Sequence, residues 1–375
     1  MTFDYIINII FKMENAEKNI KTEFLDYFKY EEKILDNYEW NIISVSKDTQ
    51  NSRIVFCGEN KQNNNDCIYV KQFKLFFSYN NNDISNILKE IYFLTLLKDK
   101  EYFVKLTDIE LDDQTNCSRI FLVFKGNCVS LNKLIDFKKD DYLSNYDLIK
   151  WIIYQISYGL YILHSNNIIH NDIKPSNILI NEEGGITICD FGSASYKNQE
   201  SNSYTRYYSS PEFLNNTNLI RDEKYDMWAL GVIILELFLK KNRYFSSDNE
   251  EKTIENQLKI IFSKFGIENI QEEEIQKIIE DDINYEKYKF KDEEVIKNIE
   301  DKDAIDLISH LLVINPKKRY TAQEVLNSPY LSEYKDFQDL DVKIKDDIID
   351  YEKINDSLIS KEDFIQIFAI LKSRI

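Results

Sequence analysis

Two spacings of apolar residues alternate along this chain. Cys67-Ile68-Tyr69-Val70-Lys71 alternates in the period-2 manner of a strand and ends in a lysine. Between Ile84 and Lys98 the period lengthens. Ile87, Leu88, Ile91, Leu94 and Leu97 recur at three- and four-residue intervals, which predicts a helix with Glu90 in its middle. Two apolar runs, Phe103 to Leu111 and Arg119 to Phe124, predict further strands. Beyond them helical patterns take over, first Leu131 to Ile135, then Tyr146 to Asn166, then a strongly apolar run from Asp226-Met227-Trp228-Ala229-Leu230-Gly231 through Leu239. Near the end, Ser360-Lys361-Glu362-Asp363 precedes Phe364, Ile367, Phe368 and Leu371, the pattern of a capped amphipathic helix. Such a stripe needs a cover, and packing on its own domain is favoured over docking to a partner.

The order of these patterns divides the chain. Residues 1–37 form an extension without glycine or proline, expected to be helical. A central region at 38–331 carries strands first and helices after, and residues 332–375 form an acidic tail. At 375 residues and 43% apolar content, the chain can bury a sizeable core.

Composition removes several classes of function. The five cysteines show neither paired nor CxxC spacing, so neither a zinc site nor a disulfide framework is indicated, and reduced intracellular thiols are expected. The start lacks a basic n-region and no apolar run approaches the length of a membrane span, so a soluble protein of cytoplasm or nucleus is expected, without a membrane partner. A net charge of −18 argues against nucleic acid as a partner. The acidic clusters at Glu272-Glu273-Glu274 and Glu280-Asp281-Asp282 read as a solvated face, with attraction of basic substrate peptides the weaker alternative.

The candidate chemistry lies in His170-Asn171-Asp172-Ile173-Lys174-Pro175-Ser176-Asn177, with Asp190-Phe191-Gly192 following Asp172 by eighteen residues. One carboxylate can orient an attacking hydroxyl, while an Asn and a second Asp can hold Mg²⁺ against ATP. Either motif alone is weak, but both in this order and spacing are specific. Here the chain resembles the eukaryotic serine/threonine protein kinases. The resemblance runs over most of the chain, and all four prolines (Pro175, Pro211, Pro316 and Pro329) fall where the family places one.

The resemblance implies an α+β bilobal protein-kinase fold, with a small antiparallel-sheet N-lobe holding one main helix (38–125) and a larger, mainly helical C-lobe (126–331). Asp172 would accept the substrate hydroxyl's proton, Lys174 would neutralise the γ-phosphate, and Thr205 would bond both. Lys71, anchored by Glu90 on the C-helix, would clamp the ATP phosphates, and Asn177 and Asp190 would hold Mg²⁺. Ile43, Ser44, Ser46, Val55, Phe124, Lys125, Asn127 and Leu179 would complete the nucleotide site, with Phe124 as a bulky gatekeeper before the hinge. Glu212 would pair with Arg319 as a structural ion pair. Thr205-Arg206-Tyr207-Tyr208, Cys189-Asp190-Phe191-Gly192-Ser193-Ala194 and Gln257-Leu258-Lys259-Ile260-Ile261-Phe262 look like the CMGC group: cyclin-dependent, MAP, glycogen-synthase and dual-specificity tyrosine-regulated kinases.

Four departures bear on activity. No glycine lies between residues 41 and 57, and Ser44-Val45-Ser46 stands where a phosphate loop needs glycine for close backbone approach. Asn171 replaces the arginine that grips an activation-loop phosphate. Glu200, Ser201 and Asn202 stand where relatives carry phosphoacceptors, so an activation loop ordered without phosphorylation is expected. Ser209 takes the place of the arginine associated with proline-directed specificity, which puts that preference in doubt.

The leading expectation is an ATP-dependent kinase acting on serine and threonine hydroxyls of protein substrates. A pseudokinase serving as scaffold or allosteric partner is the alternative, and Thr205 with Ser210-Pro211-Glu212 argues against a small-molecule kinase. A regulatory protein at the C-helix or the terminal extensions is left open. A cyclin there is disfavoured, because Asp83-Ile84-Ser85-Asn86 does not resemble the cyclin-binding signature.

Overall fold

The computed structural model describes residues 40–47, 53–60, 67–75, 82–113, 118–126, 128–136, 142–181, 184–199, 204–246, 253–267, 272–288, 290, 292–337, 342–345, 350–354 and 359–375. The expected helical extension at 1–37 lies outside them, as do Asn127 and residues 200–203. The helices used below are α1 (Asn82–Leu96), α2 (Leu131–Asp136), α3 (Tyr146–Ser165), α4 (Pro211–Asn215), α5 (Glu223–Leu239), α6 (Ile254–Lys264), α7 (Glu272–Ile279), α8 (Glu293–Asn298), α9 (Lys302–Leu311), α10 (Ala322–Leu326) and α11 (Lys361–Lys372). The chain divides into two compact units: Met1–Val129 with Ile180–Gly185 and Lys345–Ile375, and Ser130–Leu179 with Ile186–Ile344.

The first unit is built on a five-stranded antiparallel sheet. Its strands are β1 (Trp40–Lys47), β2 (Arg53–Asn60), β3 (Cys67–Leu75), β4 (Leu106–Asp113) and β5 (Ser118–Lys125), in the order β1-β2-β3-β5-β4. The run expected as a strand from Phe103 enters the sheet only at Leu106, while Phe103 is buried in the approach to it. Helix α1 buries Ile84, Ile87, Leu88, Ile91 and Leu94, and also Tyr92 and Phe93 on its remaining side. An amphipathic pattern leaves such a side exposed unless something covers it.

The tail is that cover. Ser360 caps α11 by accepting from the Asp363 amide at 3.0 Å, and α11 packs on α1 with Phe364, Ile367, Phe368 and Leu371 buried. Upstream, Tyr351 meets the Tyr92 and Phe93 rings at 5.4 and 5.5 Å, and the Ser85 hydroxyl donates to the Ile354 carbonyl at 2.9 Å. Ion pairs of Lys361 with Asp113 (2.6 Å) and Lys372 with Glu110 (2.8 Å) flank the helix. Burial decides the docking: about 1.5–3 kcal/mol for each fully buried Phe, Ile or Leu exceeds the ~0–1 kcal/mol of an exposed ion pair.

The second unit is mainly helical. Asn145 caps α3 by accepting from the amides of Asp147 and Leu148 at 3.1 and 3.3 Å, and Asp222 caps α5. Almost every residue of α5 is buried, so it is apolar on all sides. Gly231 permits its closest approach to α9, since a Cβ there would stand 2.9 Å from both Leu311 Cβ and Leu312 Cδ2. No helix among the described residues is long and apolar enough to cross a membrane.

Candidate active site

In the first unit, the period-2 strand β3 and the helix α1 bring Lys71 to Glu90. The Lys71 ammonium donates to both carboxylate oxygens at 2.8 Å, with the Glu90 side chain buried and Lys71 nearly so. A buried pair of this kind adds little net stability, because desolvation offsets the attraction, but it fixes where the ammonium sits. Lys71 stands in register with Val55 on β2 and Leu122 on β5, and Ser46 on β1 is in register with Val55. Ser44 pairs with Cys57, and the register shifts between Ile42 and Ser44, so Ile43 is the extra residue of a bulge. At the end of β5 Phe124 is buried and Lys125 exposed.

In the second unit, four predicted residues meet through direct contacts. Asp172 Oδ2 accepts from Lys174 Nζ at 2.6 Å and from Asn177 Nδ2 at 3.1 Å, while Thr205 Oγ1 donates to Asp172 Oδ1 at 2.5 Å. Lys174 also reaches Thr205 Oγ1 at 3.0 Å, and Asn177 Nδ2 reaches the Asp172 carbonyl at 2.8 Å. The Cys189 amide donates to the Asn177 carbonyl at 2.9 Å, which brings Asp190 beside this network. Asp190 itself adopts a left-handed backbone (φ 67°, ψ 68°), a conformation that costs a non-glycine residue about 1–2 kcal/mol. Leu179 is half-buried on the strand Ile178–Asn181.

A residue outside the predicted set holds the loop. Asp226, fully buried on α5, accepts from the His170 amide at 2.9 Å, the Asn171 amide at 3.0 Å and His164 Nε2 at 3.0 Å. His170 in turn bonds the Cys189 carbonyl at 3.1 Å and packs edge-on against Phe191 at 4.8 Å. A signal for Asp226 existed in the sequence: a carboxylate inside a run as apolar as 225–239 must find donors or destabilise the fold. Nothing in the run itself names those donors.

A protein kinase domain model matches residues 53–331, most of the chain. The chain belongs to the protein kinase family. The kinase is similar to mitogen-activated protein kinase 13 of Arabidopsis thaliana, 29% identical over 290 residues that cover 74% of this chain and 76% of that one. Mitogen-activated protein kinase HOG1 of Gibberella zeae is 36% identical over 196 residues, 50% of this chain and 52% of its own length. Mitogen-activated protein kinase p38a of Drosophila melanogaster is 33% identical over 256 residues, 64% and 66% of the two chains. Against its fungal relatives the kinase therefore spans about half of their length. These relatives are CMGC kinases, the group of eukaryotic serine/threonine kinases that its Thr205-Arg206-Tyr207-Tyr208 segment resembles.

Further along the kinase, Arg319 meets Glu212 in a two-pronged pair, Nη1 to Oε1 at 2.8 Å and Nη2 to Oε2 at 3.0 Å, both side chains buried. Arg319 also donates to the carbonyls of Lys224 and Val313 and lies 5.0 Å over the Trp228 ring. Ser209 is fully buried, donating to the Thr205 carbonyl at 3.1 Å and sharing a 2.9 Å hydrogen bond with the Tyr225 hydroxyl. Its hydroxyl thereby links the Thr205 carbonyl to Tyr225. Glu236, buried on α5, accepts from the Tyr208 hydroxyl at 3.0 Å and the Tyr244 amide at 2.9 Å, and burial pushes its carboxyl up to about 7.

Proposed function

We propose that this kinase transfers the γ-phosphate of ATP to serine or threonine hydroxyls of protein substrates. The observation that carries the reading is the convergence of Lys174, Asn177 and Thr205 on the Asp172 carboxylate. Three donors fix its orientation, and Thr205 is the link through which the peptide-facing segment reaches it. Asp172 aligns the incoming hydroxyl and takes its proton as the bond to phosphorus forms; Lys174 balances charge on the transferred group. Lys71, steadied by Glu90, engages the remaining phosphates.

The donor chemistry suits Mg²⁺. With its Nδ2 turned to Asp172, Asn177 keeps a carbonyl oxygen free to ligate, and Asp190 adds a carboxylate. Mg²⁺ is commonly held by one or two such groups together with substrate phosphates, and when bound it neutralises phosphate charge. Among the described residues no group of three or more His, Cys, Asp or Glu could hold a metal without the nucleotide.

Independence from activation-loop phosphorylation is supported by Asn171. Its backbone is left-handed (φ 65°), its side chain is fully buried, and Nδ2 donates to Ser193 O at 3.0 Å, Ser195 Oγ at 2.9 Å and Ile169 O at 3.3 Å. Neutral bonds here tie the catalytic loop to the segment after Asp190, where an arginine would have waited for a phosphate. The tail on α1 supplies from the same chain a cover that a regulatory partner would otherwise provide. We place the kinase in cytoplasm or nucleus.

The purified chain should transfer radiolabelled phosphate from Mg·ATP to Ser/Thr peptides, and Asp172→Asn should lose about 10²–10⁴-fold. Phosphatase treatment should leave the rate unchanged; a requirement for phospho-Ser201 or phospho-Ser203 would overturn the independence from phosphorylation. The pseudokinase alternative draws on the glycine-free β1 and predicts no transfer, with Asp172→Asn indistinguishable from the parent.

A further inference from the structure

Tyr69 has no role in the reading above, yet its place on the sheet gives it one. It lies two residues before Lys71 on β3, so both side chains leave the same face. The register runs Ser44 to Cys57 to Tyr69 to Phe124 across β1, β2, β3 and β5, next to the row that runs Ser46 to Val55 to Lys71 to Leu122. Adjacent same-face rows are about 6.6–6.8 Å apart along a strand. That is roughly the step from the phosphates of a nucleotide to its base. If Lys71 grips the phosphates, as the proposed function has it, and Phe124 stands before the base-binding hinge, as the resemblance to protein kinases implies, the base lies over the row that holds Tyr69.

That row carries two aromatic side chains in directly opposed positions, where Cβ atoms stand about 4.5–5.5 Å apart. Phe124 is buried and Tyr69 half-buried, so the tyrosine is the more open of the two on that face. The neighbouring row sets Ser46, Val55 and Leu122 in register with Lys71, none of them aromatic. Of these two rows, only the one that holds Tyr69 and Phe124 carries aromatic side chains.

We propose that Tyr69 is a specificity-determining residue that narrows the nucleobase seat and keeps affinity for ATP low. The proposal rests on the nucleotide reading of Lys71, and it states where binding strength is lost: at the base, not at the phosphates. Trimming the side chain therefore opens the seat.

The test compares the full chain with Tyr69→Val and Tyr69→Ala, using calorimetric titration of Mg·ATP and of magnesium tripolyphosphate, which has the phosphates without the base. ATP should bind progressively more tightly in the order Tyr, Val, Ala, reaching about tenfold or more, with KM for ATP falling and kcat little changed. Tripolyphosphate should bind all three alike and lose its binding on Lys71→Met. A gain in affinity cannot come from general damage to the strand, and valine suits a strand should alanine weaken the fold. Equal or weaker ATP binding in both variants, with tripolyphosphate binding intact, overturns the role of Tyr69 and leaves the function standing. Failure of every folded variant to bind either ligand overturns both.

Discussion

Lys71 and Asp172 are both held in place by a carboxylate, but the two units achieve this by different routes. In the second unit a single buried side chain, Asp226, receives the consecutive backbone amides of His170 and Asn171, and the contacts of Asp172 with Lys174 and Asn177 follow within a few residues. In the first unit Glu90 rides on a helix whose far side is covered by chain from the other end of the sequence. One anchor is local in space and polar. The other is a packed apolar surface reached by the tail. The lesson is that the position of Asp172 depends on hydrogen-bond satisfaction, while the position of Glu90 depends on hydrophobic docking.

The sharpest way to break this contrast is to remove Asp226. Asp226→Ala leaves the His170 and Asn171 amides buried without acceptors, at about 1–3 kcal/mol each. A loss of about 3–5 kcal/mol in denaturant unfolding is expected, with phosphotransfer reduced by at least 10²-fold, while the Lys71–Glu90 pair stays intact. Retention of activity would show that the loop keeps its shape without the anchor.

Phe364→Ala probes the other route. Phe364 is fully buried on α11, and its truncation should cost about 3–4 kcal/mol through lost burial and the cavity left behind. Its functional signature should differ in kind: a raised KM for ATP through a loosened α1, with the chemistry at Asp172 preserved. If KM is unmoved, α1 holds Glu90 without the tail.

The same contrast explains what the sequence revealed. The meeting of Lys71 with Glu90, and of Lys174, Asn177 and Thr205 with Asp172, was legible through motifs whose order and spacing resemble those of protein kinases. Helices α1, α3 and α11 were legible from their apolar spacing, and for α11 also from the Ser360 cap. The role of Asp226 was not, because its partners are backbone amides far upstream, and amides leave no mark in a sequence. Nor was the destination of the tail: the stripe Phe364, Ile367, Phe368 and Leu371 announces that it needs a cover without saying which surface supplies it. Tyr92 and Phe93, the surface in question, look like excess on an already amphipathic helix.

A smaller effect comes from Lys89, beside Glu90 on α1. Burial pulls its ammonium down from 10.5 to about 8. The unfolded chain therefore binds the extra proton between those values, so stability rises with pH across about 8 to 10.5 and carries the full penalty below pH 8. Lys89→Met should stabilise the kinase by on the order of 2 kcal/mol at pH 7, with the gain shrinking toward pH 10.5. A gain independent of pH would mean that the methionine improves packing and that the buried charge was never the burden.

The smallest effect bears on whether the tail docks as one body. Ser85 donates to the Ile354 carbonyl from α1, well before α11 begins. Ser85→Ala should cost only about 1 kcal/mol, since a typical hydrogen bond contributes that much net. Its value lies in combination with Phe364→Ala. The two side chains sit on separate stretches of the interface, so independent contacts would add to within about 0.3–0.5 kcal/mol. A tail that docks and lifts as a unit would give a double mutant less destabilised than the sum, because once α11 has let go, the Ser85 bond is already lost. Strict additivity would instead make the cover on α1 a set of separate contacts, and the position of Glu90 would then fail gradually as they are removed.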